Sequence, residues 1–350
     1  MRIILVYWAF EDQGSGLLIQ GYTNAARELG HEIVVYGRAV PNIPLNYSTD
    51  IDSADAAVFI FEWTTNLLRG DRLDLLRLMS KVPRRRRVIL DGDGNYNDII
   101  RVDSDYNHPD ARSHRSWIDV CDSLADKICQ PTLHPIRENV RTFLFYCYNP
   151  AWELPLEVRP KEFGLMYVGH SKFRWGGMYR VLRAVEPIRD RVGRVGVVGY
   201  GWGALPPWAA PMQMEDAYYT DGDYLNRLRV EVLPPVSFEH VIDWMSKATV
   251  NPVLTRPTFN HMQLVTPRFF ETLASNTIPV FGVDEVHARE IYGKRAVELM
   301  LPSTNSSERL KDMYERPGHY ADVVSEIREH LAVHHSQRAR VQELVDIIES

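Results

Sequence analysis

The segment from Thr266 to Glu271, TPRFFE, combines residue types that can bind a phosphate and a ribose. Thr266 followed by Pro267 is typical of a helix start, with a hydroxyl at the N-cap and proline at the first helical position. Such a start presents unpaired N–H groups and the positive end of the helix dipole, so it favours phosphate as a ligand. Arg268 adds a cation, and Glu271 lies one turn further on, where its carboxylate could accept hydrogen bonds from ribose hydroxyls. An ordinary helix start, with Glu271 solvated or in a salt bridge, is the alternative.

The same segment begins a longer run, TPRFFETLASNTIPVFG. This run resembles the signature TPR-x-FE-x-LA-(C/S)-(G/N)-T-x-PV of GT-B glycosyltransferases, especially the CgeB-like group related to glycosyltransferase family 4. The resemblance implies an α/β fold of two doubly wound Rossmann-like domains that face each other across a cleft. It also implies that the helix after Thr266 meets the diphosphate of a nucleotide sugar and that Glu271 holds its ribose.

Both halves of the chain open with an apolar strand, a glycine-containing loop and a helix, beginning at Ile3 and again at Phe163. This is the pattern of a doubly wound α/β domain. We therefore predict a Rossmann-like acceptor domain at 1–155, a Rossmann-like donor domain at 156–320, and a C-terminal helix at 321–350 that crosses back to the first domain.

A second candidate for the diphosphate is the loop that follows the strand ending at Gly169. It contains His170, Lys172 and Arg174, where family 4 relatives carry two basic residues in the pattern VGR-x-x-x-x-KG. His170 takes the first basic position, so Lys172 or Arg174 must supply the cation. Arg174 is the first choice because it immediately precedes the glycines that open the helix. Strong donors here would neutralise a leaving diphosphate as it gains charge, and a basic surface loop is the alternative.

The resemblance implies contacts with the nucleotide base in two further loops. Tyr200 and Gly201 belong to the turn GYGW, which lies near the base in CgeB-like proteins. The glycine spacing also suggests a nicotinamide cofactor, but ALPPW follows and no helix can begin where a pyrophosphate would need one. Backbone groups of Pro235 and Val236 are expected to contact the base.

The segment before Thr266 contains the candidates for reading the donor sugar. Retaining family 4 enzymes often carry Glu-x7-Glu, and counting back from Glu271 gives Gln263. Glutamine can hydrogen-bond a sugar hydroxyl but cannot act as a base or stabilise a cation by charge. Asn260 and His261 flank it and could also read the sugar. The balance slightly favours a retaining enzyme assisted by the diphosphate over an inverting one.

Glu62 and Trp63 are acceptor candidates because they follow the carboxyl end of a strand, where open α/β sheets bind ligands. For the loop of Gly14, Ser15 and Gly16, the resemblance implies that it faces the cleft and touches acceptor or phosphate, and a plain tight turn is the alternative.

An inverting enzyme would need a general base in this half, and the candidates are His108, His114 and Asp93, with a surface histidine as the alternative reading of the first two. Asp91 and Asp93 also suggest a divalent cation site. A polar turn or an acceptor contact is favoured, because GT-B enzymes generally work without a catalytic metal.

The composition is typical of a soluble globular protein with room for two domains, since 45% of the 350 residues are hydrophobic and 25% are charged. The formal net charge of −6 gives no global basic field, so we expect no nucleic acid partner. The run Arg84–Arg87 favours a solvated turn.

Cys121, Cys129 and Cys147 lack metal-site spacing, which favours reduced thiols in a cytoplasmic protein. No signal peptide or membrane-spanning run is visible, and peripheral membrane contact stays open.

Together these features predict a hexosyltransferase that moves a hexose from a nucleotide-diphosphate sugar to a hydroxylated small molecule or glycan, with no metal or other cofactor required. The base, whether UDP, GDP or TDP, and the oligomeric state stay open. A GT-B sugar-nucleotide epimerase is one alternative. A catalytically degenerate GT-B carbohydrate-binding or assembly protein is another, favoured by Gln263 and His170 at positions where relatives carry other residues.

Overall fold

The computed structural model of the chain describes residues 1–7, 15–39, 44–61, 75–97, 114–211 and 214–350. Among these residues, no helix combines the length and the apolar composition that crossing a bilayer requires.

The N-terminal half is built on one parallel sheet. Its described strands are β1 (Arg2–Val6), β2 (Glu32–Tyr36), β3 (Tyr47–Ser48), β4 (Ala56–Phe61), β5 (Arg87–Asp91), β6 (Lys127–Gln130) and β7 (Val140–Thr142). They lie in the order β3-β2-β1-β4-β5-β6-β7. The described helices of this half are α1 (Ser15–Glu28), α2 (Leu75–Ser80) and α3 (His114–Leu124). Every residue of β4, AAVFIF, is buried, as expected for a parallel strand covered on both faces.

The C-terminal half repeats this plan with a second parallel sheet. Its strands are β8 (Phe163–Val168), β9 (Val195–Val198), β10 (Val230–Leu233), β11 (Ala248–Val253) and β12 (Ile278–Phe281), in the order β10-β9-β8-β11-β12. Its helices are α4 (Trp175–Val185), α5 (Arg189–Val192), α6 (Gly222–Arg227), α7 (Val241–Met245), α8 (Pro257–His261), α9 (Arg268–Ala274), α10 (Glu285–Tyr292) and α11 (Ser306–Glu315). The chain ends in α12 (Pro317–His334) and α13 (Gln337–Glu349).

The strand order reverses at one point in each sheet. β1 pairs with both β2 and β4, and β8 pairs with both β9 and β11. Such a reversal opens a crevice outside the carboxyl ends of the two central strands, where doubly wound folds bind ligands. The predicted fold class, two doubly wound α/β halves, is confirmed, and the reversal between β8 and β11 indicates where a ligand of the second half would lie.

An apolar cluster continues from one sheet to the other. It contains Leu5 of β1 and Leu165 of β8, and the connecting segment 143–148 belongs to the same cluster. The hydroxyl of Tyr22 in α1 donates a hydrogen bond of 2.5 Å to the backbone oxygen of Phe145 in this segment. The sequence predicts strands here. The N–H of Phe143 donates a hydrogen bond of 3.0 Å to the backbone oxygen of Gln130 in β6, and Tyr148 forms a bridge with Ser336, but the segment is not a strand of either sheet. Its side chains instead fill the space between the halves.

The last two helices tie the halves together. Arg328 of α12 is buried and donates hydrogen bonds to the backbone oxygens of Leu273 (2.7 Å), Ser275 (2.9 Å) and Leu154 (2.9 Å). It therefore satisfies carbonyls at the C-terminus of α9 that have no partner within the helix. After α12 ends at His334, Ser336 caps the start of α13, and α13 packs against α1 of the first half. The exact domain boundaries stay a prediction.

The cysteines are buried and unpaired by disulfides. Burial raises the pKa of the Cys129 thiol to about 12 and raises those of Cys121 and Cys147 as well. The three thiols therefore stay protonated near neutral pH and are poor nucleophiles.

Candidate functional site

The loops that follow β8 and β9 pack tightly against each other beside the strand-order reversal. The indole Nε1 of the buried Trp202 donates a hydrogen bond of 2.7 Å to the backbone oxygen of Gly169. Gly201 has φ +87°, and a Cβ there would lie 2.2 Å from Oγ of Ser171. Only glycine fits this position without displacing its neighbours. The two loops that the sequence predicts to bind the nucleotide are thus fixed against each other.

Four basic side chains gather around one histidine at this point, and we call Lys172, Arg174, Arg256 and Arg268 the cationic cluster. The pKa of His170 is lowered to about 4, first by burial and then by these four charges. Lys172 and Arg256 are only 4% and 9% exposed, so their charges are not dispersed by solvent. The structure thereby brings together the two basic segments that the sequence predicts separately. A neutral imidazole surrounded by cations suits a phosphate-bearing ligand.

Arg174 is the member of the cluster whose hydrogen bonding points most directly to a ligand. Its Nη1 donates a hydrogen bond of 2.8 Å to the backbone oxygen of Lys172. Its Nε is buried and has no hydrogen-bond partner among the described residues. Burial lowers the pKa of the guanidinium, and the charges of Arg256 and Arg268 lower it further. A buried charged donor without a partner is costly, and an anion would remove that cost.

The start of α9 differs in detail from the sequence prediction. The helix begins at Arg268, with Pro267 at the cap position and no side-chain cap hydrogen bond. Thr266 contributes its backbone oxygen, which accepts a hydrogen bond of 3.1 Å from the N–H of Phe269. The predicted hydroxyl cap is therefore not formed, because the first turn closes through backbone groups one residue later than predicted.

Glu271 lies between the cationic cluster and a cavity shared by the two halves. Its carboxylate is 3.4 Å from Nη1 of Arg268, and both side chains are largely buried. The cavity has a volume of about 320 Å³, and its walls include Phe238 and Ile242 from the second half and Tyr146 from the first. A carboxylate at the edge of an apolar cavity can accept hydrogen bonds from hydroxyls while a flat ring occupies the apolar part.

The remaining predicted nucleotide contacts lie around this region. The ring of Tyr200 stacks on His170, with centroids 5.2 Å apart, and makes a T-shaped contact with Trp208, with centroids 4.7 Å apart. Pro235 is exposed, and Val236 packs against an apolar cluster of the second half. Their contacts with a base stay predictions.

The donor-sugar candidates lie at the end of α8 and in the loop after it. Asn260 and His261 are exposed. Gln263 has φ +51°, which is rare for a residue with a side chain, and its Oε1 is buried without a hydrogen-bond partner among the described residues. Gln263 thus combines a strained backbone with an unused acceptor, which is common at ligand sites.

On the acceptor side, the carboxylate of Asp91 is hydrogen-bonded to groups of its own turn and to Gln130. Its carboxylate accepts hydrogen bonds from the backbone N–H groups of Asn95 (2.9 Å) and Tyr96 (2.8 Å) and from Nε2 of Gln130 (2.8 Å). This supports the polar-turn interpretation of Asp91 and leaves Asp93, which is half-buried, as the candidate for contact with an acceptor. In the described ranges, no group of three or more His, Cys, Asp or Glu side chains is arranged to hold a metal ion.

Several acceptor and general-base candidates cannot be placed in the site. Gly14, Glu62, Trp63 and His108 lie outside the described residues. Ser15, Gly16 and His114 are described only as positions at the starts of α1 and α3. Their roles stay predictions.

Arg256 is a member of the cationic cluster that is not predicted from the sequence. It precedes Pro257 at the start of α8, and its guanidinium lies 4.6 Å from the ring centroid of Phe259. A basic residue in the loop after β11, at the carboxyl end of a central strand, is the signal that could have identified it.

No protein-family model and no curated protein sequence matches this chain. Solved structures match it over its full length. An alpha-glucosyltransferase in complex with UDP and a 13-mer DNA containing a central A:G mismatch has a TM-score of 0.66 at 13% identity, with 100% of both chains covered. Sucrose-phosphate synthase from Thermosynechococcus elongatus has a TM-score of 0.61 at 12% identity, covering 99% of this chain and 98% of that one. T4 phage BGT in complex with UDP and Mn2+ has a TM-score of 0.57 at 11% identity, with 100% of both chains covered.

The expectation that nucleic acid plays no part is wrong. Two structures of this fold are glucosyltransferases bound to DNA, one containing a mismatch and one an abasic site. The physical reason for the error is that a net charge of −6 describes the whole surface. It does not describe a single cleft, where clustered cations can dominate the local field.

The comparisons agree with the architecture described above. Glucosyltransferases are among the structures that share it from end to end, and several of these hold UDP or UDP-glucose. The narrower resemblance to CgeB-like and family 4 enzymes stays a prediction. The chain has the GT-B fold of glycosyltransferases.

Proposed function

We propose that this protein is a glycosyltransferase that moves a hexose from a nucleotide-diphosphate sugar to a hydroxyl group of an acceptor. The observation that carries the proposal is the cationic cluster at the strand-order reversal of the second half, beside the carboxylate of Glu271. Four positive charges at a crevice suit a diphosphate, and they stabilise it most when it leaves with its full negative charge.

The residues of the cationic cluster, His170 and Glu271 each make a different contact with the nucleotide sugar in this proposal. The Nε of Arg174 donates to a phosphate oxygen, and Lys172 and Arg256 supply buried positive charge. His170 is neutral at pH 7, since its pKa is about 4, so it contributes a hydrogen bond and no charge. Glu271 accepts hydrogen bonds from the ribose, while the base enters the apolar cavity between the halves. UDP is our first choice of nucleotide, because similar structures hold UDP.

We further propose that transfer is metal-independent and retaining. The cationic cluster supplies the charge stabilisation that a divalent ion provides in other enzymes. Gln263 offers the sugar a neutral hydrogen-bond acceptor, which favours a mechanism in which the diphosphate itself takes the acceptor proton. Since the T4 BGT structure contains Mn2+, activity that persists in EDTA is the measurement that separates the two cases.

The acceptor that we propose is a hydroxyl group carried by nucleic acid. The support comes from the glucosyltransferases of this fold that are complexes with DNA, one of them with DNA containing a HMU base. Asp93, at the carboxyl end of β5, is our candidate for contact with the acceptor hydroxyl.

Transfer of labelled hexose from UDP-hexose to DNA with a hydroxylated base tests the proposal. The wild-type protein should label the DNA, and Arg174→Ala should lower the rate by about 100-fold, because it removes a charged donor from the leaving group. Arg180→Ala is the matched control, since Arg180 is an exposed arginine on α4, and it should keep the wild-type rate. Equal rates for Arg174→Ala and wild type would contradict the site.

Two alternatives have their own outcomes in the same experiment. An epimerase would convert the sugar nucleotide without any acceptor. A degenerate binding protein, which Gln263 and His170 favour, would bind nucleotide sugar without turning it over.

A further inference from the structure

The loop that carries the sugar-reading residues is held by the opposite half of the molecule. The N–H of Val265 donates a hydrogen bond of 2.7 Å to the backbone oxygen of Pro131, which follows β6. Oγ1 of Thr132 donates a hydrogen bond of 3.0 Å to the backbone oxygen of Met262, and both residues are buried. The segment between α8 and α9 is therefore anchored to the first half on both sides of Gln263.

The side chain of Met262 is seated in the turn that follows β5. Gly94 has φ +72°, and a Cβ there would lie 2.7 Å from Cε and 2.8 Å from Sδ of Met262. Nδ2 of Asn97 donates to the same sulfur at 3.7 Å. The same turn is organised by the buried carboxylate of Asp91. A methionine can fill such an irregular seat because its side chain is unbranched and polarizable.

Gln263 lies between two residues that are both fixed in this way. Met262 and Leu264 are 2% and 0% exposed, and they belong to an apolar cluster that also contacts Ile136 of the first half. With both neighbours held, the backbone of Gln263 stays in the left-handed region at φ +51°. Strained backbone of this kind persists only where the surroundings fix it.

We propose that Met262 is a positioning residue, which holds Gln263 so that its unpartnered Oε1 meets a hydroxyl of the donor sugar. This inference rests on the proposed function, and it assigns diphosphate binding and sugar positioning to different halves of the molecule. The diphosphate is bound by groups of the second half alone, whereas the sugar is positioned through the turn Asp91–Asn97 and Thr132 of the first half. Donor sugar and acceptor would then be aligned by the same turn.

The test separates nucleotide affinity from turnover. In Met262→Ala, the affinity for UDP measured by calorimetry should stay within about twofold of wild type, while kcat for the UDP-sugar falls by about 100-fold, the loss expected from misplaced reacting groups. Met262→Leu should restore most of kcat, because leucine refills the seat. Thr132→Val should lower kcat in the same direction, since it removes the hydrogen bond to Met262.

Met313→Ala is the matched control. Met313 is fully buried in α11, so its truncation costs stability without touching the loop. It should lower the melting temperature and keep kcat. The inference is wrong if Met262→Ala keeps wild-type kcat, or if its loss of kcat comes with an equal loss of UDP affinity. A wild-type protein that binds no UDP and turns over no UDP-sugar would instead refute the proposed function.

Discussion

At the scale of single residues, His170 shows how position changes chemistry. From the sequence alone, His170 is an imperfect substitute for a basic residue. In the structure its Nδ1 accepts a hydrogen bond of 3.3 Å from the N–H of Tyr200, and its pKa is lowered to about 4 by burial and by the cationic cluster. The imidazole is therefore neutral near pH 7 and adds no charge to a site that already holds four cations.

This environment predicts a pH dependence of donor binding. A bound UDP-sugar brings a negative diphosphate close to His170, which raises the pKa of the imidazole above its value in the free protein. A group whose pKa rises on binding takes up a proton, so affinity should increase as the pH falls from about 7 to about 5. Calorimetry with UDP-glucose measures this directly, because its diphosphate does not titrate in that range.

His170→Gln is the control for this prediction. Glutamine keeps hydrogen-bonding capacity but does not titrate, so the variant should bind UDP-glucose with the same affinity at both pH values. A wild-type affinity that is flat or weaker at the lower pH would show that the diphosphate lies elsewhere.

At the scale of elements, α9 is positioned at its C-terminus by Arg328. Its guanidinium donates hydrogen bonds to backbone oxygens of Leu273, Ala274 and Ser275 and to that of Leu154 in the connection between the halves. The carbonyls of Ala274 and Ser275 also accept hydrogen bonds from the N–H groups of Leu154 (2.8 Å) and Thr277 (2.9 Å), so the loss of Arg328 would fall mainly on the carbonyls of Leu273 and Leu154. The residues at the start of α9 that we propose to face the nucleotide therefore depend on a side chain at the other end of the helix.

We expect Arg328→Ala to lower the free energy of unfolding by about 3 kcal/mol, because it removes a buried charged donor and leaves the carbonyl groups of Leu273 and Leu154 without it. Urea denaturation measures the change. Arg338→Ala is the control, since its side chain is 63% exposed and lies 4.0 Å from Glu28, and it should change stability by less than about 0.5 kcal/mol. Equal effects of the two substitutions would contradict the role assigned to Arg328.

The elements themselves could largely be predicted from the sequence. Apolar runs such as Phe163–Val168 followed by glycine identify strands and the loops at their carboxyl ends, so the segments of Arg174 and Arg268 could be identified locally. Arg256 and Met262 could not. Their importance arises only when the loop after β11 meets the loop after β8 and the turn after β5, which are distant in the chain.

The roles of side chains that depend on a partner distant in the chain could not be predicted from the sequence either. Asp91 reads from the sequence as either a metal ligand or a turn residue, and the hydrogen bond from Gln130, 39 residues away, is one of the contacts that favour the turn. The hydroxyl cap predicted at Thr266 is not formed, and the reason is local. The helix begins one residue later than predicted, so Pro267 and not Thr266 takes the cap position.

At the scale of the whole molecule, the two halves are joined more closely than two domains on a linker. They share an apolar cluster, α13 of the C-terminal half packs on α1, and the loop of Gln263 is anchored beside Pro131. A donor bound to the second half is therefore held next to the carboxyl ends of the first sheet. The net charge of −6 describes the whole surface and not the local field in this cleft.

We propose that the cationic cluster binds the diphosphate of a nucleotide sugar. The most direct test is thermal stabilisation of the wild-type protein by UDP-, GDP-, TDP- and CDP-sugars, with the bare diphosphates alongside, because a ligand that binds only the native state raises its melting temperature. We expect a clear shift with UDP and its sugars and a smaller shift or none with the others. If no nucleotide shifts the melting temperature, the cationic cluster does not bind a nucleotide diphosphate.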